Sequence, residues 1–157
     1  MTNWILIADA AGAVIYEPEL EHERLRAVRN FDHPSGRAHV QELVAARVGH
    51  ARQPGPRGLA PAMAAPTDPH TLEAERFAGE LAVELAAAYH RRDFHQLALI
   101  APPRFLGLLR AALDAHVASA VVASAANDLT PIPPHDLWPH VREIVRRLSE
   151  PNDTRNG

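Results

Sequence analysis

The 157-residue sequence contains no cysteine and no lysine; all 16 of its Lys+Arg positions are arginine. Without cysteine there is no disulfide framework, no thiolate zinc site and no thiol nucleophile. Without lysine there is no Schiff-base amine and no phosphate-loop lysine. No G-x-x-x-x-G-K-[ST] loop and no G-x-S-x-G elbow occurs either. Long apolar runs are also missing. Trp4–Ala8 is broken at once by Asp9, and no basic n-region precedes it. That is too short for a signal h-region or a bilayer span. A cytoplasmic protein without a membrane span is the expectation.

What remains suits one domain with its own core. The sequence holds 29 Ala, 10 His and a formal charge of -3. Bulk charge therefore gives no reason to expect a polyanion binder. The near histidine pairs, His33/His39, His90/His95 and His135/His140, lie five or six residues apart, not at the i, i+4 spacing of helical zinc ligands. They read as surface histidines; no metal and no cofactor is expected.

Periodicity gives an element order. Trp4–Ala8 reads as a strand buried on both faces, and Ala13–Glu17 as its hairpin partner. Glu17–Glu23 reads as an acidic surface loop. Leu25–Phe31 suits a half-buried third strand, with Arg26 and Arg29 outward. Asp32–Gly36 is a turn cluster, and Ser35 can cap a short helix over Arg37–Arg47. Residues 48–70 carry five Pro and three Gly and read as a long loop. Asp68-Pro69 then starts a helix whose stripe runs Ala74, Phe77, Ala78, Leu81, Leu85, Ala88 and Tyr89. Gln96–Ala101 is a second fully apolar strand. Pro102-Pro103 opens another helix, Ala118–Ala125 is a weaker strand, and Leu137–Leu148 carries a last helical stripe. The expectation is one α/β domain over 1–150 with a frayed tail, 151–157. Three antiparallel strands followed by α-linked parallel strands give a three-layer, mixed five-stranded sheet. This is the ribonuclease H-like order, 3-2-1-4-5, although other three-layer α/β sandwiches share it.

A ribonuclease H-like nuclease clusters carboxylates around two metal ions. Asp9 stands at the end of the first strand and Asp128 is one further carboxylate, but the fourth strand ends in QLALIAPP with no acid. A catalytic set is incomplete, and no enzyme is expected. The positive feature is local: Arg47–Thr67 holds Arg47, Arg52 and Arg57 with no Asp or Glu. Arginines among glycines suit phosphate or acidic-surface contacts, although a solvated loop in an arginine-rich chain gives the same pattern. Arg104 and Arg110, on the helix after Pro103, are further binding candidates.

The segments WILIADAAGAVIYE, FDHPSGR, ERFAGELAVEL, FHQLALIAPPRFLGLLRAAL and NDLTPIP, in that order, resemble the bacterial host attachment protein family. The family is in turn similar to the middle domain of archaeal and eukaryotic class-one release factors. The resemblance spans about Trp4 to Leu148, with Ala101–Arg110 its most specific piece, and marks Asp9, Asp128 and Thr130 as motif polar positions. It implies a ribonuclease H-like fold and a binding factor acting in attachment to a host through an unidentified protein partner, indirectly, since no export signal is read. It also implies an alternative association with RNA or the ribosome. Two positions depart from the family pattern. Its Asp-Arg-Pro-Gly-Arg-like stretch is replaced by sequence around Arg47–Gly58, and Asn127 stands where its Lys-Asp-Leu-Thr motif has lysine. No Gly-Gly-Gln precedes the long helix, so peptidyl-tRNA hydrolysis is not expected.

Overall fold

A computed structural model describes residues 2–33 and 68–149. The expected helix over 37–47, the loop as far as Thr67 and the tail 151–157 lie outside the described residues, as do Arg47, Arg52 and Arg57.

Five strands form one sheet. They are β1 (Asn3–Asp9), β2 (Gly12–Glu19), β3 (Arg24–Asp32), β4 (Gln96–Ala101) and β5 (Val121–Ala126). Their order is β3-β2-β1-β4-β5, as the element sequence predicts. β1 pairs antiparallel with β2 and parallel with β4, and β5 continues the parallel part. The helices are α1 (Pro69–His90), α2 (Pro103–Ala112), α3 (Ala115–Ala120) and α4 (Trp138–Ser149).

The central strands are apolar because both faces are covered. Trp4, Leu6, Leu97 and Leu99 point to α1, α2 and α3, where they meet Phe77, Leu81, Leu85, Phe105, Leu109 and Val117. Ile5, Ile7, Ala98 and Ile100 point the other way, to Val141, Val145 and Leu148 of α4. Among the described residues the result is three layers, with two α-helices and a short third on one face and one on the other.

Several local expectations change. The loop read as far as residue 70 ends earlier, because Asp68 caps α1 by accepting from the Thr71 N–H (2.9 Å) and Pro69 fills the first turn. Glu17 ends the expected second strand, but β2 runs on to Glu19, so the strand takes in the start of the acidic run. Glu17 and Glu19 sit opposite Arg26 and Arg24 in the register and ion-pair with them, supplying the cross-strand partners that an acidic run lacks by itself. Arg29 is not simply outward. A bulge leaves Val28 as an extra residue, since Tyr16 pairs with Ala27 and Ile15 with Arg29. The bulge swaps faces along β3, so Leu25 joins the α4 side while Val28 and Phe31 pack on the α1 side. Arg29 then donates to Glu84 of α1 (2.8 Å) and lies 5.0 Å over the Phe31 ring. Finally, the strand read over 118–125 begins at Val121. Ala115–Ala120 is a helical turn and a half, capped by Asp114, which accepts from the Val117 N–H (2.9 Å).

Candidate functional site

The C-terminal ends of β1, β4 and β5 lie along one edge of the sheet, and α1 and α2 both begin there. In open α/β sheets this is the edge at which ligands bind, because side chains and helix starts converge without a covering layer. Asp9 ends β1. Its Oδ1 accepts from the N–H groups of Ala11 (2.8 Å) and Gly12 (3.1 Å), closing the two-residue turn to β2. Neither Ala10 nor Ala11 adopts a positive φ, so the turn is not of the primed type that commonly joins hairpins, and the carboxylate supplies the closure. Gly12 is needed for a different reason: a Cβ there would stand 3.1 Å from the Phe31 carbonyl.

The other Asp9 oxygen reaches across the sheet. Thr130 Oγ1 lies 2.9 Å from Asp9 Oδ2 and 2.7 Å from Asp128 Oδ1. Leu129, buried between them in sequence, anchors this loop in the α4-side core. A hydroxyl has one proton, so Thr130 donates to one carboxylate at a time. The three polar positions marked by the family resemblance thus meet at one oxygen, although Asp9 and Thr130 are 121 residues apart.

Beside this bridge runs a groove of about 670 Å³ between the strand edge and the starts of α1 and α2. Asp9, Asp68, Asp128 and Arg104 line it, with Ala74, Phe105 and Leu108 giving it an apolar part. Arg104 is exposed in the first turn of α2 and has no ion-pair partner among the described residues. The hydrogen bond from the Thr71 backbone holds the Asp68 carboxyl below its ordinary pKa. A smaller cavity, about 330 Å³, lies on the other side of the bridge against Val14, Tyr16 and Ile132. Acceptors, one guanidinium and an apolar lining can together orient a small ligand or a partner's side chain.

Of the two expected binding arginines among the described residues, Arg104 lines this groove and Arg110 does not. Arg110 sits at the last turn of α2 and donates to Ser124 Oγ of β5 (2.7 Å), away from the strand ends. Among the described residues one histidine is buried: His33 stacks on Phe77 (4.6 Å between centroids) with Nε2 3.3 Å from Glu73 Oε1. The surface expectation fails there because His33 closes the space between the end of β3 and α1. Among the described residues, no group of three or more His, Asp or Glu is placed to hold a metal ion, and no helix is long and apolar enough to cross a membrane.

The fold and its strand-edge groove define a single-sheet α/β protein with an open groove where its parallel strands end. The family described as "protein required for attachment to host cells" matches residues 4–141, and the chain belongs to that family. No curated protein matches the sequence.

Proposed function

We propose that this chain is a non-enzymatic, cytoplasmic binding factor. It acts indirectly in attachment to a host by holding a protein partner in the strand-edge groove. The observation that carries this reading is the meeting of Asp9, Asp128 and Thr130 at one hydroxyl beside Arg104, which has no ion-pair partner among the described residues. Family membership supports the role in attachment. The groove offers hydrogen-bond acceptors and a cation but only one proton between its two bridged carboxylates, a set suited to holding a partner rather than turning over a substrate. The test is an attachment assay in cells lacking the protein, complemented with wild type, an Arg104→Ala/Asp128→Ala variant, or Arg110→Ala as a control. Attachment is expected to fall with the groove variant at unchanged protein level and to persist with Arg110→Ala. Wild-type attachment by the groove variant would remove the groove from the reading. The protein is further expected to resist protease added to intact cells; rapid cleavage would make its role direct.

A second reading, association with RNA or the ribosome without peptidyl-tRNA hydrolysis, is favoured by the acid-free arginines Arg47, Arg52 and Arg57. Neutralising phosphates makes such binding fall steeply with salt. Co-sedimentation with ribosomes should then weaken as salt rises and on replacing Arg52 and Arg57. Absence of binding at low salt would end this reading.

A further inference from the structure

The opposite end of the sheet carries a different set of groups. α1 ends in two backbone bonds, from Arg92 N–H to the Tyr89 carbonyl (2.9 Å) and from Asp93 N–H to the Ala88 carbonyl (2.9 Å). This is the Schellman arrangement, which places the residue after the cap in the left-handed region and usually employs glycine there. Here that residue is Arg92, with φ 68°. An arginine in this conformation is strained where glycine would not be. Strained residues persist where their side chains have work to do.

The Arg92 side chain lines a cavity of about 340 Å³ with Tyr89, His90, Phe94 and His95. Its neighbour Arg91 is held by Asp93 (2.8 Å), whereas Arg92 has no carboxylate partner among the described residues. The chain is only 5% aromatic, yet rings run in file through this point. Trp4 stacks on Phe94 (4.8 Å between centroids), Phe94 meets Tyr89 (5.5 Å), Tyr89 meets His90 (6.3 Å), and His90 meets His116 of α3 (5.8 Å). Phe94 is buried and forms a floor, while Tyr89 is half-exposed. His95 is fixed at the base of β4: its N–H donates to the Thr2 carbonyl (2.7 Å), and its Nδ1 accepts from the Thr2 N–H (3.4 Å). With Nδ1 accepting, the neutral ring carries its proton on Nε2, as a donor.

A flat ring surface, a guanidinium without a carboxylate partner among the described residues and an imidazole donor, gathered in one cavity, match a ligand that joins a planar ring to an anionic group. Rings stack on such platforms, and guanidinium forks favour phosphate. We propose that this cavity is a second binding site, for a nucleoside monophosphate, with the base on Tyr89 and the phosphate on Arg92.

Arg92→Gly separates this proposal from a structural role, because it removes the cation and relieves the left-handed strain together. Amide spectra of the full chain, titrated with AMP, adenosine, inorganic phosphate and 4-hydroxybenzoate, would follow residues 89–95. AMP is expected to shift these amides saturably, with a dissociation constant on the order of 1 mM or tighter. Arg92→Gly should weaken AMP at least tenfold while raising the melting temperature by roughly 2–4 °C. Absence of saturable shifts would overturn the proposal, as would a raised melting temperature with unchanged AMP affinity. Phosphate alone binding as tightly as AMP would overturn the base subsite. Tighter binding of 4-hydroxybenzoate would assign the cavity to aromatic acids and overturn the nucleotide reading.

Discussion

Thr130 donates a single proton between two carboxylates, and that shortage gives the residue-scale expectations. Thr130→Val keeps the shape but leaves both oxygens without this donor, and a loss of about 1 kcal/mol is expected on thermal unfolding. Asp9→Ala removes the acceptor for two turn amides as well, so about 2 kcal/mol should go. The two losses should not add in the double variant, since both break the same bond; strict additivity would show that the bridge carries no energy. Asp68 gives a pH dependence with a definite sign. Its carboxyl is held low by the Thr71 amide, so its contribution to α1 is present above the ordinary aspartate range and is lost as pH falls through the lowered value. Helicity of the first turn should decline in that acid window, and Asp68→Ala should abolish the decline; an identical acid profile in the variant would contradict it. Asp9 was legible as a strand-end carboxylate because it follows a wholly apolar run. Asp128 was legible as an isolated second carboxylate, and Thr130 became prominent only through the family resemblance. Their meeting with Asp9 is a tertiary contact that no local pattern encodes. Arg92 was hidden for the converse reason: a helix stop is read from glycine, and here there is none.

At the scale of elements, legibility followed the strength of the local signal. Gln96–Ala101 is a strand over the very residues of its apolar run, since a central parallel strand is buried on both faces. α1 begins where Asp68 and Pro69 place it and buries Phe77, Ala78, Leu81, Leu85 and Ala88 of its stripe, with Ala74 and Tyr89 half-buried at the ends. α3 has six residues, too few for a 3.6-residue pattern to show, and its Ala and Val merge with those of β5. The bulge in β3 was equally silent, because one unpaired Val28 changes the alternation without changing composition. These contrasts predict stability effects. Leu99→Ala, in the middle of β4 with no exposed surface, should lose about 2–5 kcal/mol. Val83→Glu, on the open face of α1 at 67% exposure, should stay within about 0.5 kcal/mol of wild type in the same denaturant titration. Comparable losses at both sites would mean that the outer face of α1 is covered in solution.

For the whole molecule, the two faces of the sheet are unequally protected. Among the described residues, three helices cover one face, whereas α4 is the α-helix packed over Ile5, Ile7, Ala98 and Ile100 on the other. Val141→Asp should therefore open the second face as a unit, read as strong binding of an apolar dye with strand content retained. Loss of all strand signal would show that the two cores do not separate. The strand order was legible because three antiparallel strands followed by α-linked strands leave few arrangements that keep connections short and right-handed.

That order also sets a timetable. β1, the central strand, is translated before every other described strand, yet its parallel partner β4 ends only at Ala101. At ordinary elongation rates the interval is roughly 5–20 seconds. Throughout it, the emerging hairpin Asn3–Glu19 presents an unpaired β1 edge and apolar side chains on both faces. The most protected strand of the finished fold is thus the most vulnerable one at birth, and a chaperone at the ribosome would find its target there.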